Sequence, residues 1–132
     1  MTQLPNPGQR IATLMQDALI TVDADDTVEH VKRVLAENQL NFVLVVDTRR
    51  FCCGIIHRRD VREFHASQRN ARACYAWEIC TPHLIDVSPD TSIAEAASLV
   101  ARRRIPEIVV TEDGILKGLV TANDFVVAGA LA

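Results

Sequence analysis

Two aspartates stand at matching places in the chain and are its strongest candidates for binding chemistry. Each closes a segment of the form Gly-h-h-x-x-x-Asp, in which h is apolar, from Gly54 to Asp60 and from Gly118 to Asp124. Aspartate is favoured at helix starts, where its side chain accepts hydrogen bonds from free backbone N–H groups. A carboxylate that caps a helix with one oxygen can still accept from a ligand with the other. The residues alone leave both interpretations open.

Catalysis and metal binding have little support in the sequence. It contains no phosphate-binding glycine loop, no dinucleotide-binding glycine motif and no nucleophile with a recognisable base. Cys52 and Cys53 lie on a predicted strand and point to opposite faces, while Cys74 and Cys80 form no Cys-x-x-Cys pair. The histidines show no ligand spacing either. We therefore predict a protein that is not an enzyme, with no metal, no required cofactor and reduced thiols.

Composition, net charge and the length of the apolar runs exclude several classes of protein. The 132 residues are 48% hydrophobic and 23% charged, which suits one globular domain or two small halves. The net charge of −3 disfavours nucleic acid as a partner, although Arg58, Arg59 and Arg102–Arg104 form local basic clusters. Apolar runs such as Phe42–Val46 are far shorter than the ~20 residues that cross a bilayer. With no apolar signal segment at the N-terminus, we expect a cytoplasmic protein without membrane contact.

The chain repeats itself once. Residues 14–22 align with residues 79–87 at an offset of 65, and the two Gly-h-h-x-x-x-Asp segments align at an offset of 64. The single-residue difference is placed most simply at the end of the first helix, where Asn38–Asn41 faces Arg103–Ile105. Internal similarity of this kind predicts two copies of one supersecondary unit.

Each copy is predicted to form strand, helix, strand, turn, strand and helix. Ser92 and Glu95 have the spacing of a capping box, and apolar residues follow at helical intervals. Asp113-Gly114 between two apolar runs predicts a hairpin turn. The polar segment Arg62–Trp77 lacks glycine and proline, which predicts a helix that joins the copies.

These elements predict an α+β fold of two β-α-β-β-α repeats. The predicted boundaries are an N-terminal extension at 1–10, repeat 1 at 11–64, a connecting helix at 65–76 and repeat 2 at 77–132. A half of about fifty residues buries too little surface to be stable alone. We therefore expect the repeats to pack sheet to sheet about a pseudo-two-fold axis, with two related clefts between them.

The doubled unit resembles a tandem pair of cystathionine-β-synthase (CBS) domains, the Bateman module. The resemblance runs from about Ile11 to Phe125 and rests on both Gly-h-h-x-x-x-Asp segments together with Pro89–Ala97 at the second helix start. It implies an adenosine-containing regulatory ligand in the clefts: AMP, ADP, ATP, S-adenosylmethionine or a dinucleotide such as NAD. It also implies homodimers.

The resemblance assigns roles in a main cleft. The family's Gly-h-h-Thr/Ser-x-x-Asp motif matches Gly118–Asp124 in full. By resemblance, Asp124 accepts the ribose hydroxyls and Thr121 meets a phosphate. The remaining residues expected in this cleft are Asn123 beside them and, on the opposite wall, Ala18, Leu19, Asn41 and Phe42.

The first copy departs from that motif, because His57 stands where the family has threonine or serine. Asp60 is retained, and Arg58 makes the site basic. The resemblance places a second, weaker cleft here, with a phosphorylated ligand or a solvated basic rim as the alternatives. Its opposite wall is expected from His83, Arg104, Ile105 and Pro106.

Two functions follow as hypotheses. The first is a stand-alone regulatory module that binds an adenosine ligand between the repeats and signals by changing conformation. The alternative is a ligand-free dimerisation or scaffold module with vestigial clefts. The apolar tail Phe125–Ala132 favours the alternative, since it is costly to leave in water and suggests packing against a second chain. Which ligand binds, and what protein responds, are not encoded in any recognisable motif.

Overall fold

Two three-stranded sheets with flanking helices organise the chain in a computed structural model, which describes residues 8–82 and 85–131. The chain divides into two units. The first-repeat unit is Ile20–Leu84, and the second-repeat unit combines Met1–Leu19 with Ile85–Ala132. The predicted α+β class is confirmed.

The first-repeat unit has the order β-α-β-β-α, followed by one short helix. In its sheet, strand β2 lies in the middle, parallel to β1 and antiparallel to β3. The elements are β1 (Thr21–Asp23), α1 (Val28–Glu37), β2 (Phe42–Val46), β3 (Cys52–His57), α2 (Arg58–Ala66) and α3 (Ala76–Ile79).

The second-repeat unit has the same β-α-β-β-α topology. Its sheet has the order β4-β5-β6, again with a parallel and then an antiparallel pair. The elements are a 3-10 helix (Ile11–Thr13), β4 (Asp86–Val87), α4 (Ile93–Arg103), β5 (Glu107–Glu112), β6 (Ile115–Thr121) and α5 (Ala122–Val127). The predicted internal repeat is therefore confirmed.

The long helices begin and pack as their sequences predict. Ser92 accepts a hydrogen bond from the Glu95 N–H at 3.1 Å, and Thr27 does the same for the His30 N–H. One face of each helix enters the core of its own unit. The buried residues are Val28, Val31 and Leu35 on α1 and Ile93, Ala96, Ala97 and Val100 on α4.

The one-residue difference between the copies was assigned to the wrong place. Gln39 and Arg104 lie at the ends of the two helices and have the same left-handed φ of 53°. They are 65 positions apart, so the offset between the copies has not yet changed at this point. The offset changes only after Val46, in the turn between β2 and β3. There Asp47 accepts hydrogen bonds from the N–H groups of Arg49 and Phe51, which holds a turn one residue longer than its counterpart.

The predicted connecting helix is also wrong as a continuous element. Helix α2 ends at Ala66, and Gln68 adopts a left-handed φ of 59°. The Ser67 hydroxyl donates to the Phe64 carbonyl, and Asn70 accepts from the Arg72 N–H. Such local side-chain bonds compete with helix, so the segment turns before α3 begins.

The apolar tail packs largely within its own unit. Phe125 and Ala128 are buried, and Leu131 packs against the core that contains Phe125. Val126 and Val127 are the exceptions, with 46% and 70% of their surface exposed. Much of the tail is thus covered by its own unit, and among residues 125–131 Val126 and Val127 are the large apolar side chains left open to a second chain.

Two glycines allow another segment of the same unit to lie against the last strand of each sheet. In the second-repeat unit, Gln16 and Leu119 exchange two backbone hydrogen bonds of 2.8 and 2.9 Å beside Gly118. In the first-repeat unit, Thr81 and Ile55 do the same beside Gly54. A side chain at either glycine would obstruct this close approach.

We expect Gly54→Ala to destabilise the protein by about 1–3 kcal/mol, the usual penalty of overpacking. Its Cβ would lie 2.5 Å from the Thr81 carbonyl oxygen, a backbone atom that cannot move aside alone. Gly118→Ala should cost less, because its nearest obstacle at 2.6 Å is the flexible Met15 side chain and the backbone oxygen of Gln16 lies farther away, at 2.9 Å. Urea unfolding measures both. Lys117→Ala is the exposed control, and a wild-type midpoint for Gly54→Ala would contradict the packing described.

Candidate functional site

Asp124 and Thr121 form a reciprocal capping box where β6 passes into α5. The Asp124 carboxylate accepts from the Thr121 N–H through Oδ2 at 2.8 Å, and the Thr121 hydroxyl oxygen accepts from the Asp124 N–H at 3.2 Å. Both residues thus satisfy backbone N–H groups that the helix leaves without partners. Asp124 thus caps the helix start from the third position of α5, and the N-cap residue itself is Thr121 rather than the aspartate.

A second donor reaches the same carboxylate oxygen. The Gln16 side-chain Nε2 donates to Asp124 Oδ2 at 3.0 Å. Sequence reasoning missed Gln16, because its place in the chain assigns it to the first repeat, predicted at 11–64, whereas it lies in the second-repeat unit. The available signal was its alignment with Thr81, which places both residues at the start of equivalent segments.

The junction retains hydrogen-bonding capacity for a ligand. Among residues 8–82 and 85–131, no donor lies within hydrogen-bond distance of Asp124 Oδ1. The Thr121 hydroxyl proton likewise has no acceptor in the described part of the chain. Asp124 and Thr121 are half-buried, so both groups are accessible. The arrangement offers one anionic acceptor and one neutral donor side by side.

The other residues predicted for the main cleft fall in both units. Asn123 is exposed in the first turn of α5, next to Asp124. Ala18 is exposed and Leu19 half-buried, two and three residues beyond Gln16 in the same unit. Asn41 and Phe42 belong to the first-repeat unit. Their place in a shared cleft stays a prediction.

His57 takes the place of threonine in the corresponding junction of the first repeat. Asp60 Oδ2 accepts from the His57 N–H at 2.8 Å, and His57 Nδ1 lies 3.6 Å from the same oxygen. The backbone of His57 has the same φ and ψ as that of Thr121, −94° and 161°. The junction is therefore preserved, with an imidazole where the second repeat has a hydroxyl.

The first-repeat unit places Asn41, Phe42 and Arg58 around His57. The Phe42 and His57 rings lie 5.9 Å apart between centroids. The Arg58 N–H donates to the Asn41 carbonyl, and its Nε donates to the Leu40 carbonyl at 2.6 Å. Arg58 is consequently anchored at its guanidinium and is not simply a solvated charge.

The opposite wall predicted for the second cleft is only partly described. Arg104 is the exposed residue that ends α4, Ile105 is half-buried, and the Pro106 carbonyl accepts from the Ala122 N–H at 2.8 Å. These three residues lie in the second-repeat unit, close in the chain to β5. His83 lies outside the described residues.

Beside Asp60 the first-repeat unit has an open groove of about 250 Å³. Arg69 lies over the Phe64 ring, 5.4 Å from its centroid, and pairs with Glu78 at 3.1 Å. The lining residues are Asp60, Glu63, Phe64, Ser67, Arg69 and Ile79.

Thiols and carboxylates do not converge on a metal. Within residues 8–82 and 85–131, no group of three potential ligands could hold a metal ion. The same residues include no helix that is long and apolar enough to cross a membrane.

All four cysteines are free thiols. Partial burial raises the pKa of Cys53, and the negative charge of Asp47 adds to the effect. Burial also raises the pKa of Cys80, and electrostatic repulsion from Cys53 raises it further.

Two repeats of one α+β topology, each with a capped junction after its last strand, define a tandem-repeat module. The sequence profile of the CBS domain matches residues 11–67 and again residues 76–130. The chain therefore belongs to the CBS domain family, as its motifs predicted.

A sequence relative matches this chain over only a small part of its own length. The chain is 36% identical over 107 residues to an inosine-5'-monophosphate dehydrogenase of Korarchaeum cryptofilum (strain OPF8). That match covers 80% of this chain and 21% of the enzyme, and it lies in the enzyme's CBS region. The chain thus spans about a fifth of the length of this curated relative.

Solved structures share the fold. CBSX2 in complex with AMP has a TM-score of 0.78 at 21% identity, with 92% of this chain and 96% of that chain covered. The CBS domain of the bacterial CNNM/CorC family Mg²⁺ transporter in complex with ATP has a TM-score of 0.82 at 17% identity, with 92% and 87% covered. At these identities the likeness concerns the fold.

The raised thiol pKa values predict slow alkylation near neutral pH, because the thiolate is the reactive form. The labelling rates of Cys53 and Cys80 with iodoacetamide should rise with pH and reach half-maximum above the ordinary value of 9.0. Asp47→Asn removes the charge and keeps an acceptor for the turn, so it should accelerate labelling of Cys53. Thr48→Asn, an uncharged change at an exposed position of the same turn, is the control, and peptide-resolved mass spectrometry measures the labelling. A Cys53 midpoint at or below 9.0 would contradict the described environment.

Proposed function

We propose that the chain is a regulatory module that binds an adenosine-containing ligand at the junction of β6 and α5. The observation that carries this proposal is that, within the described part of the chain, Asp124 Oδ1 has no donor and the neighbouring Thr121 hydroxyl proton has no acceptor. A ribose presents hydroxyl donors, which a carboxylate oxygen accepts, and a phosphate presents acceptors, which a hydroxyl can reach. AMP, ADP, ATP, S-adenosylmethionine and NAD all combine a ribose with such an extension.

The main cleft is favoured over the second on chemical grounds. Asp124 and Thr121 keep the full family motif, and CBSX2 and the CNNM/CorC domain were solved with AMP and ATP respectively. In the first repeat, His57 already faces Asp60, and Arg58 is tied to the Leu40 carbonyl. Ala18, Leu19, Asn41 and Phe42 are the proposed contacts to the base. Signalling requires that the ligand bind two conformations of the module unequally.

Calorimetric titration with AMP, ATP, NAD and S-adenosylmethionine tests the proposal. We expect at least one of them to bind, and Asp124→Asn to weaken that ligand roughly ten- to a hundredfold. This range corresponds to the loss of about 1.5–3 kcal/mol from a hydrogen bond to a charged group. The asparagine keeps an acceptor for the Thr121 N–H, so the junction should stay folded.

Asp60→Asn is the matched control for the same experiment, since it makes the same change in the repeat that departs from the motif. Equal losses in the two variants would contradict the preference for the Asp124 site. Absence of binding by all four compounds would contradict ligand binding altogether and would favour the scaffold alternative.

Homodimerisation is the second proposal, and it rests on two valines of α5. Val126 and Val127 are adjacent and exposed at 46% and 70%, whereas Phe125 before them is fully buried. Paired apolar side chains that stay in water at a helix end are a reason to expect a protein contact. The same surface would serve a scaffold module without any ligand.

We expect Val127→Glu to weaken self-association, because a carboxylate at the centre of an apolar contact loses its hydration. Light scattering across a concentration series should show a mass for the wild type that approaches twice the 14.6 kDa of one chain. The mass of the variant should stay near that of one chain. Thr48→Glu, at an exposed turn of the first-repeat unit, is the control. A monomeric wild type at high concentration would rule out the dimer.

A further inference from the structure

The contact between Gln16 and Asp124 is chemically one-sided. A carboxylate can only accept, so the amide nitrogen of Gln16 must face Oδ2, as the 3.0 Å contact from Nε2 has it. The amide oxygen Oε1 therefore remains a separate acceptor. Together, Asp124 Oδ1 and Gln16 Oε1 provide two acceptors in one small region of the second-repeat unit.

The backbone of Gln16 is fixed where its side chain begins. Gln16 and Leu119 exchange hydrogen bonds of 2.8 and 2.9 Å, and Gly118 lets the segment lie close to β6. Five residues before Gln16 in the same segment, the Ile11 N–H donates to the Thr91 carbonyl. A side chain held at its root loses less freedom when it orients another group, which makes it suited to positioning.

Among the described residues of the first-repeat unit, no side-chain amide donates to Asp60. Thr81 occupies the aligned position and pairs with Ile55 through the same two backbone bonds. Threonine has a short hydroxyl side chain and no amide. The side-chain group near Asp60 is instead His57 Nδ1, at 3.6 Å. The amide-to-carboxylate contact therefore distinguishes the two otherwise equivalent junctions.

We infer that Gln16 is the positioning and specificity residue of the Asp124 site and makes it select a ribose over a deoxyribose. The inference rests on the proposed adenosine site. By holding Oδ2, Gln16 leaves Oδ1 to accept the 3'-hydroxyl of the ribose, and its own Oε1 accepts the 2'-hydroxyl. A ligand with a single hydroxyl leaves one acceptor without a partner and binds more weakly.

Calorimetry with AMP and 2'-deoxy-AMP tests this role. We expect the wild type to prefer AMP about tenfold, the value of one well-made hydrogen bond. Gln16→Met has similar length and neither donor nor acceptor, so it should weaken AMP roughly tenfold and remove most of the preference. Gln16→Glu should weaken AMP further, since it places a second negative charge beside Asp124. Gln68→Met, at an exposed position of the first-repeat unit, is the matched control.

A ligand-free measurement separates positioning from mere packing. The shifts in urea midpoint for Gln16→Met and Asp124→Ala should not add in the double variant, because either change alone removes the contact that the two side chains share. Additive shifts, or a Gln16→Met protein that binds AMP with the wild-type preference over 2'-deoxy-AMP, would overturn the inference alone. A wild type that binds no adenosine ligand would overturn the proposed function and this inference together.

Discussion

The short backbone ladder between Gln16 and Leu119 is the constraint on which the candidate site depends. It holds the N-terminal segment against β6, and Gly118 is required because any side chain there would meet Met15 and the Gln16 carbonyl. From this anchored root, Gln16 reaches the Asp124 carboxylate. A residue that the chain order assigns to one repeat thereby completes the junction of the other.

The junction also shows how one carboxylate serves stability and binding together. Asp124 Oδ2 accepts from both the Thr121 N–H and Gln16, which fixes the side chain and satisfies the start of α5. Because these donors share one oxygen, the other accepts no hydrogen bond from residues 8–82 and 85–131. The capping role of Asp124 and the ligand contact proposed for it therefore do not compete.

Duplication preserved the backbone of the two junctions while their side chains diverged. His57 and Thr121 have identical φ and ψ, yet one presents an imidazole and the other a hydroxyl. Backbone geometry follows from strand pairing and the helix start, which both repeats share, whereas hydrogen-bonding chemistry follows from single residues. A repeat can thus lose or change its ligand without any change of fold, which is the physical basis for treating the two sites as unequal.

The repeat, the β-α-β-β-α order, the buried helix faces and the two aspartates could be predicted from the amino-acid pattern alone. Those features depend on periodicity and local capping, which involve residues within a few positions of each other. Three-dimensional coordinates were needed to find that Gln16 contacts Asp124, that α2 stops at Ala66 and that the extra residue lies in the turn after Val46. Contacts 108 residues apart, and side-chain bonds that end a helix, leave no period in the sequence.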